Sequence, residues 1–258
     1  MKTVGYFVPT LGNNLEWLDL SLQSIRQQTC QPELVVVIPI GKSKLEDWLL
    51  QRNYSFVYEE KPNLSNAFNV GIRYLKDTGV ELVGFLGDDD ILAAGSTENL
   101  VSAFHDKKVV AAFGGCTYID ETGQNLFFNK SYPMLKSVMT IIPNVLPNPG
   151  ALIRTDSWAK IGGYDENLRI SMDLDFWLRL RKLGKFKRVE HPMSSFRWHS
   201  NSLTAGSRAE SNTVAREIQR KHSKGIIIPI HVLFAPMFSL LAESILLRSI
   251  KNSKINSR

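Results

Sequence analysis

The first third of the chain alternates two kinds of pattern, and that alternation restricts the fold more than anything else in its 258 residues. "TVGYFVP", "ELVVVIPI", "YSFVYE" and "VELVGFLG" are apolar, largely β-branched or aromatic runs of strand length. Between the first two, "NNLEWLDLSLQSIRQQ" sets Leu15, Leu18, Leu22 and Ile25 on one helical face, with Asn13 or Asn14 as the cap. Between the third and fourth, "LSNAFNVGIRYLKDTG" reads as a helix stopped by Gly79. Such alternation predicts an α/β fold with a mainly parallel central sheet covered by helices on both faces. With 43% hydrophobic residues, the chain can bury one large domain, or one domain plus an appendage. Ligands of such sheets lie outside the carboxyl ends of the strands.

The fourth run ends in "FLGDDDIL", so Asp88, Asp89 and Asp90 stand at such an end. Three adjacent carboxylates repel one another, which makes ionising all of them costly unless a cation or donor groups sit nearby. A divalent ion relieves that repulsion. Mg2+ or Mn2+ prefers oxygen ligands, and Mg2+ takes one or two protein carboxylates and completes its shell with water and substrate phosphates. The plainer reading is a solvated turn in which Asp90 caps the helix near "AGSTENLVSAF".

A second acidic group lies in "GGYDENLRISMDLDFWLRLRKLG", where Asp173 and Asp175 stand at the start of a helical pattern. An acid there is either a first-turn residue favoured by the helix dipole or, for Asp173, a general base projecting into a pocket. Gly162 and Gly163 either let the backbone approach a ligand or simply end the short helix "TDSWAKI". Trp177, at helical spacing, reads as core.

Composition removes several classes. The two cysteines, Cys30 and Cys116, belong to no metal-binding spacing, which fits a reducing setting. The start shows no basic segment followed by an apolar stretch and cleavage site, so a cytoplasmic location is expected. Residues 206–258 hold nine Lys/Arg and three Asp/Glu, so the whole net charge of +6 lies in that segment. A body without excess charge argues against a nucleic-acid surface.

Seven segments, "VPTLGN", "LSLQSIRQQT", "LSNAFNVGI", "FLGDDDIL", "GGYDENL", "MDLDFWLRL" and "RWHSNSLT", come in the order and approximate spacing of the inverting glycosyltransferase family 2, which the chain resembles over about Thr3 to Thr204. The resemblance implies a GT-A fold over residues 1–205, with a nucleotide-binding half to about residue 115 and an acceptor half over 116–205. It implies a nucleotide-sugar donor, Mg2+ or Mn2+ as cofactor, and transfer with inversion to a hydroxyl. On it, the family's Asp-x-Asp-Asp segment falls on Gly87, Asp88, Asp89 and Asp90. Asp89 is then the metal ligand, with Asp88, Asp90 and His199 assisting, and Asp173 is the base. Pro9, Thr10, Asn66, Asn69, Asp88 and Asp89 border the donor; Gly163, Tyr164, Asp165 and Asp175 border the acceptor. Departures from the pattern concern the donor's base. Ile38, Pro39 and Ile40 stand where an Asp-Asp-Gly segment is usual, Phe68 replaces a common arginine, Met172 a glutamate and Gly87 an aspartate. The nucleotide base is thereby left open, with Lys42 available to a phosphate or ribose.

Beyond the resemblance, "IIIPIHVLFAPMFSLLAESILL" is long enough to span a membrane, which takes about 20 apolar residues. Pro229, Pro236, His231 and Glu243 speak against a span. From Met237 to Ile250 an apolar face beside a polar stripe suits an interfacial helix, a dimer contact or core packing. Peripheral contact with the inner face of a cell membrane would suit a lipid-linked or glycan acceptor in cell-surface polysaccharide synthesis. Two other classes stay open: a catalytically degenerate binding module, and a two-metal nucleotidyltransferase.

Overall fold

The computed structural model describes residues 2–130, 139, 146, 148–199 and 208–223. The apolar helix read over Met237 to Ile250 lies outside the described residues.

Strands β1 (Val4–Pro9), β2 (Glu33–Pro39), β3 (Phe56–Glu59) and β4 (Leu82–Phe85) pair in parallel in the order β3-β2-β1-β4. Because successive side chains on a strand face opposite ways, each strand feeds two cores. Phe7, Val35, Val37 and Val83 enter one; Tyr6, Val8, Val36 and Leu82 enter the other. Helix α1 (Leu15–Arg26) covers the second core with Leu18, Leu22 and Ile25, all fully buried, and Asn14 caps it by accepting from the Glu16 and Trp17 amides. Helix α2 (Ser43–Gln51) adds Leu45 and Leu49 to the same core. Its N-cap, Lys42, makes no side-chain cap bond, so the usual start signal is missing from the sequence. Helix α3 (Leu64–Asp77), capped by Asn63, covers the first core with Ala67, Phe68, Ile72 and Leu75.

Beyond β4 the sheet turns mixed. β5 (Ile91–Leu92), α4 (Ser96–Ser102), β6 (Val109–Ile119), β7 (Asn125–Asn129), β8 (Leu152–Arg154), α5 (Thr155–Lys160), α6 (Met172–Leu180) and β9 (Lys185–Arg197) follow in sequence. β8 runs antiparallel between β4 and β6, and β9 lies parallel to β6 through three register shifts. β5 pairs antiparallel with the end of β9, setting Ile91 opposite Ser195 and Leu92 opposite Ser194. That pairing draws the loop after β4 and the C-terminal end of β9 together.

Helix α7 (Arg208–His222) packs on α6. Asp175, 2% exposed, accepts from Arg179 Nε at 2.7 Å and meets His222 Nε2 at 2.9 Å. Lys182 Nζ stands 3.5 Å from His222 Nδ1. A lysine can only donate, so Nδ1 accepts and Nε2–H donates to Asp175, the neutral tautomer. Burial holds the imidazole below the ordinary histidine range, against the pull of Asp175. Burial works to raise the Asp175 carboxyl, but the bonds from His222 and Arg179 prevail and hold it below the usual range. Among the described residues no helix is long and apolar enough to cross a membrane.

Two predictions follow from this packing. A β-carbon at Gly71 would lie 2.7 Å from Cβ and Cγ of Phe7, so α3 rests directly on β1. Gly71→Val should cost about 1–3 kcal/mol through overpacking, with valine's helix preference returning only a few tenths. A urea midpoint that falls at unchanged slope would record it. As for His222, its folded pKa is depressed, so its contribution is complete above about pH 6.5 and is lost as pH falls through the lower folded value. Asp175, whose own contribution fades only on protonation at still lower pH, stays ionised there. Between about pH 7 and 5, the melting temperature of the wild type should drop further than that of His222→Gln; equal slopes would contradict the coupling.

Candidate active site

The acidic row hangs from the carboxyl end of β4, and each aspartate meets different partners. Asp88 accepts from the Thr10 hydroxyl at the end of β1, and that hydroxyl in turn accepts from the Gly12 amide at 2.9 Å. Pro9, half-buried, is the last residue of β1 and pairs with Val37. Asp89 lies 2.8 Å from Nε2 of His199 and is 24% exposed at its side chain. Asp90 is 2% exposed and accepts from the Arg197 amide at 3.1 Å. Burial pushes the Asp88 carboxyl up, with the Thr10 bond opposing and the Asp89 charge adding to it. Burial, followed by the Asp89 charge, raises Asp90 well above the usual carboxylate range. The three are therefore not equivalent: Asp88 and Asp89 stay partly exposed, whereas Asp90 is turned into the fold.

Arg197 fastens this end of the sheet. Its side chain is 2% exposed, its Nε donates to the Asp89 carbonyl at 2.9 Å, and one terminal nitrogen donates to the carbonyls of Asp120 and Glu121 at 3.1 and 3.2 Å. Its guanidinium lies 5.0 Å over the Trp17 ring, and Trp17 also meets the His199 ring at 4.9 Å between centroids. Helix α1 reaches the same loop through Ser21, whose hydroxyl donates to the Gly87 carbonyl at 2.8 Å. The sequence shows Arg197 only as part of "RWH"; a buried cation read from one strand residue carries no periodic signal.

A β-carbon at Gly87 would stand 2.7 Å from an oxygen of Asp89 and 2.7 Å from one of Asp90. Without it, two carboxylates converge over the bare backbone. Among the described residues no group of three or more His, Cys, Asp or Glu side chains is placed to hold a metal ion. A Mg2+-type site needs only one or two carboxylates, because water and substrate phosphates complete it. The partly exposed Asp89, with His199 beside it, fits that open kind of site.

Asp173 lies in the first turn of α6, half-buried. One carboxylate oxygen accepts from the Leu174 amide at 2.9 Å and the other from Asn148 Nδ2 at 3.0 Å. Burial pushes its carboxyl up, with the Leu174 amide opposing. Asn148 belongs to a loop held to the sheet on both sides. The Gly150 amide donates to the Phe85 carbonyl at 2.8 Å, and Ser194 Oγ donates to the Pro149 carbonyl at 2.7 Å. Asp173 is thus tied, through one side chain, to the strand end from which Asp88 to Asp90 continue.

The remaining expected residues fall elsewhere. Asn69, 5% exposed, accepts from the Tyr164 amide at 2.8 Å and from Trp158 Nε1 at 3.3 Å. Its amide nitrogen donates to the Tyr164 carbonyl and to Glu166, so it staples the "GGYDE" loop with no donor group left over for a nucleotide. Asn66 Oδ1 is buried without a partner among the described residues. Tyr164, 6% exposed, stacks on Phe176 at 4.0 Å and meets Phe68 edge-on at 5.0 Å. It is a core residue, a correction of the expectation that it faces a sugar. Asp165 accepts from the Asn167 amide and side chain in a local turn. Asp175 is occupied by Arg179 and His222. Gly163, Tyr164, Asp165, Asp175 and Asn69 border one cavity of about 660 Å3 that also touches Arg73 and Lys221, and none of Asp88, Asp89, Asp90, Asp173 or His199 lines it. The expected acceptor residues do gather, but around a hollow separate from the acidic row.

No protein-family model matches the chain. It is 25% identical over 213 residues to an uncharacterised glycosyltransferase of Rickettsia felis, covering 78% of this chain and 34% of that protein. Over 183 residues it is 25% identical to one from Rickettsia typhi, covering 67% of this chain and 57% of that protein. The chain spans only about a third to just over half of these relatives. Among solved structures, the mannosyltransferase PcManGT from Pyrobaculum calidifontis, in complex with GDP-Man and Mn2+, superposes with a TM-score of 0.65 at 16% identity, over 97% of this chain and 73% of that one. S. aureus TarS in complex with UDP-GlcNAc superposes at 0.60 and 17%, over 84% of this chain and 65% of that one. The chain has the GT-A-like fold of these glycosyltransferases and resembles, at low identity, sequences that carry the same name.

Proposed function

We propose that the chain transfers a sugar from a nucleotide-sugar donor to an acceptor hydroxyl, with inversion. The observation that carries the reading is the tether described above. Asp173, kept half-buried with one neutral donor on each oxygen, is fastened through Asn148 to the same strand end that bears Asp88 to Asp90. Single displacement requires a base on the acceptor side and charge neutralisation on the leaving-group side, and this chain carries one acidic group suited to each. The GDP-Man and UDP-GlcNAc bound by the two structural neighbours support a nucleotide-sugar donor.

In this reading Asp173 takes the proton of the acceptor hydroxyl as the acceptor oxygen bonds to the anomeric carbon. The bond from that carbon to the diphosphate oxygen breaks, and the electron pair leaves with the nucleoside diphosphate. The raised Asp173 carboxyl suits the task, because a base with a pKa nearer the working pH holds the received proton better. Asp89, with Asp90 and His199 beside it, would hold Mg2+ or Mn2+, which supplies neutralisation of the diphosphate charge when bound. Arg197 holds the backbone carbonyl of Asp89, which orients that carboxylate. The exposed Ile40, 67% accessible at the end of β2, leaves the nucleotide base without a carboxylate partner from that position. The acceptor is a hydroxyl of a glycan or lipid-linked glycan.

Asp173→Asn should keep donor affinity while nucleoside diphosphate release from UDP-GlcNAc or GDP-mannose falls by about 10²-fold or more, the usual scale of general-base help. Asp89→Ala should abolish Mn2+-dependent binding of the nucleotide in calorimetry; unchanged affinity with Mn2+ present would remove Asp89 from that role. A wild type that binds nucleotide sugar yet releases no diphosphate with any acceptor tried would turn the reading to a binding module.

A further inference from the structure

We propose that Asn148, oriented by Trp177, is a positioning residue that fixes the Asp173 carboxylate and favours its ionised form. Trp177 sets the direction of the amide. Its indole N–H donates to Asn148 Oδ1 at 3.0 Å, and the other end of the same amide donates from Nδ2 to Asp173 Oδ2 at 3.0 Å. An indole nitrogen can only donate, so it accepts no rotation of the amide that would point Nδ2 at it. The tryptophan therefore decides which end of Asn148 faces the carboxylate. Trp177 cannot itself turn: it is 5% exposed and wedged edge-on between Phe176 at 5.4 Å and Phe186 at 5.7 Å.

The relay also sets position. Asn148 is followed by Pro149 and Gly150, whose carbonyl and amide are held by β9 and β4. Gly150, at φ +81, lets the chain turn where a β-carbon would lie 3.1 Å from Leu92 on β5. A rigid turn thus carries an amide whose direction is fixed from α6, and Asp173, also on α6, is gripped from the sheet. Of the charged and titratable groups around it, the Tyr164 phenol is the neighbour from another element whose protonation senses Asp173. Asp175, two residues on and so nearly half a turn away, is occupied by Arg179 and His222. Among the described residues no cation is bonded to Asp173; its donors are neutral, the Asn148 amide beside the backbone amides of Leu174 and of Asp173 itself. Neutral donors hold a base ionised without supplying a counter-charge that would blunt its basicity as strongly as a salt bridge does.

The proposal rests on Asp173 as the base for its consequence in turnover, but not for its titration. The decisive measurement is carboxyl 13C NMR of the full chain labelled at aspartate, with the Asp173 signal identified by its loss in Asp173→Asn. Asn148→Ala should raise the Asp173 midpoint by about one pH unit, the scale of one lost bond to a charged group. Trp177→Phe keeps a ring in the core and should raise it by less, because the amide is still present but no longer oriented. In both variants the acidic limb of kcat for diphosphate release from UDP-GlcNAc or GDP-mannose should move up by the same amount, with KM for the donor nearly unchanged. Folded variants, judged by amide spectra, in which Asp173 titrates as in the wild type would overturn the relay. If the midpoint moves while Asp173→Asn still turns over normally, the relay stands and the assignment of the base falls.

Discussion

A guanidinium buried among backbone carbonyls holds the acidic end of this sheet together. Arg197 donates to the carbonyls of Asp89, Asp120 and Glu121, and its own amide binds Asp90. Burying a cation is costly unless its donors are met. Here it is met by dipoles, and none of the ion pairs among the described residues joins it to Asp88, Asp89 or Asp90. The arrangement compensates the row electrostatically and still leaves Asp89 partly open. Removing the cation would expose the repulsion between neighbouring carboxylates and free two loops at once.

The two acidic groups are handled by different physics. The row at the end of β4 is crowded and charged, and its members diverge in burial and in partners. Asp173 is isolated, supported by neutral donors and backed by the apolar stack of Tyr164, Phe176 and Trp177. One environment favours binding of positive charge; the other favours taking up a proton. Such separation of surroundings gives identical side chains unlike proton affinities.

Local pattern made the first half of the fold legible. Leu18, Leu22 and Ile25 face the core where helical spacing puts them, Asn14 caps α1, and Gly79 follows α3 at φ +90. The second half was hidden because its strands are organised by distant pairing. β9 mixes polar and apolar residues, shifts register against β6, and reaches the acidic loop only through β5. Candidate site residues divided in the same way. Asp88, Asp89, His199 and Asp173 stood out as acids or a histidine in short motifs. Asn148, in a Pro-flanked turn, and Arg197, in a strand, act through contacts that no spacing announces. Tyr164 and Asn69 looked like binding groups because aromatic and amide side chains serve equally well in stacking a core and stapling a loop.

The pairing of β5 with β9 sets Ile91 opposite Ser195, a span of more than a hundred positions. Loop closure over such a distance is entropically slow, and contacts of that kind tend to form late. During synthesis the aspartates therefore emerge long before the arginine and histidine that quiet them. The nascent N-terminal half carries the three carboxylates without Arg197 and His199 until β9 arrives.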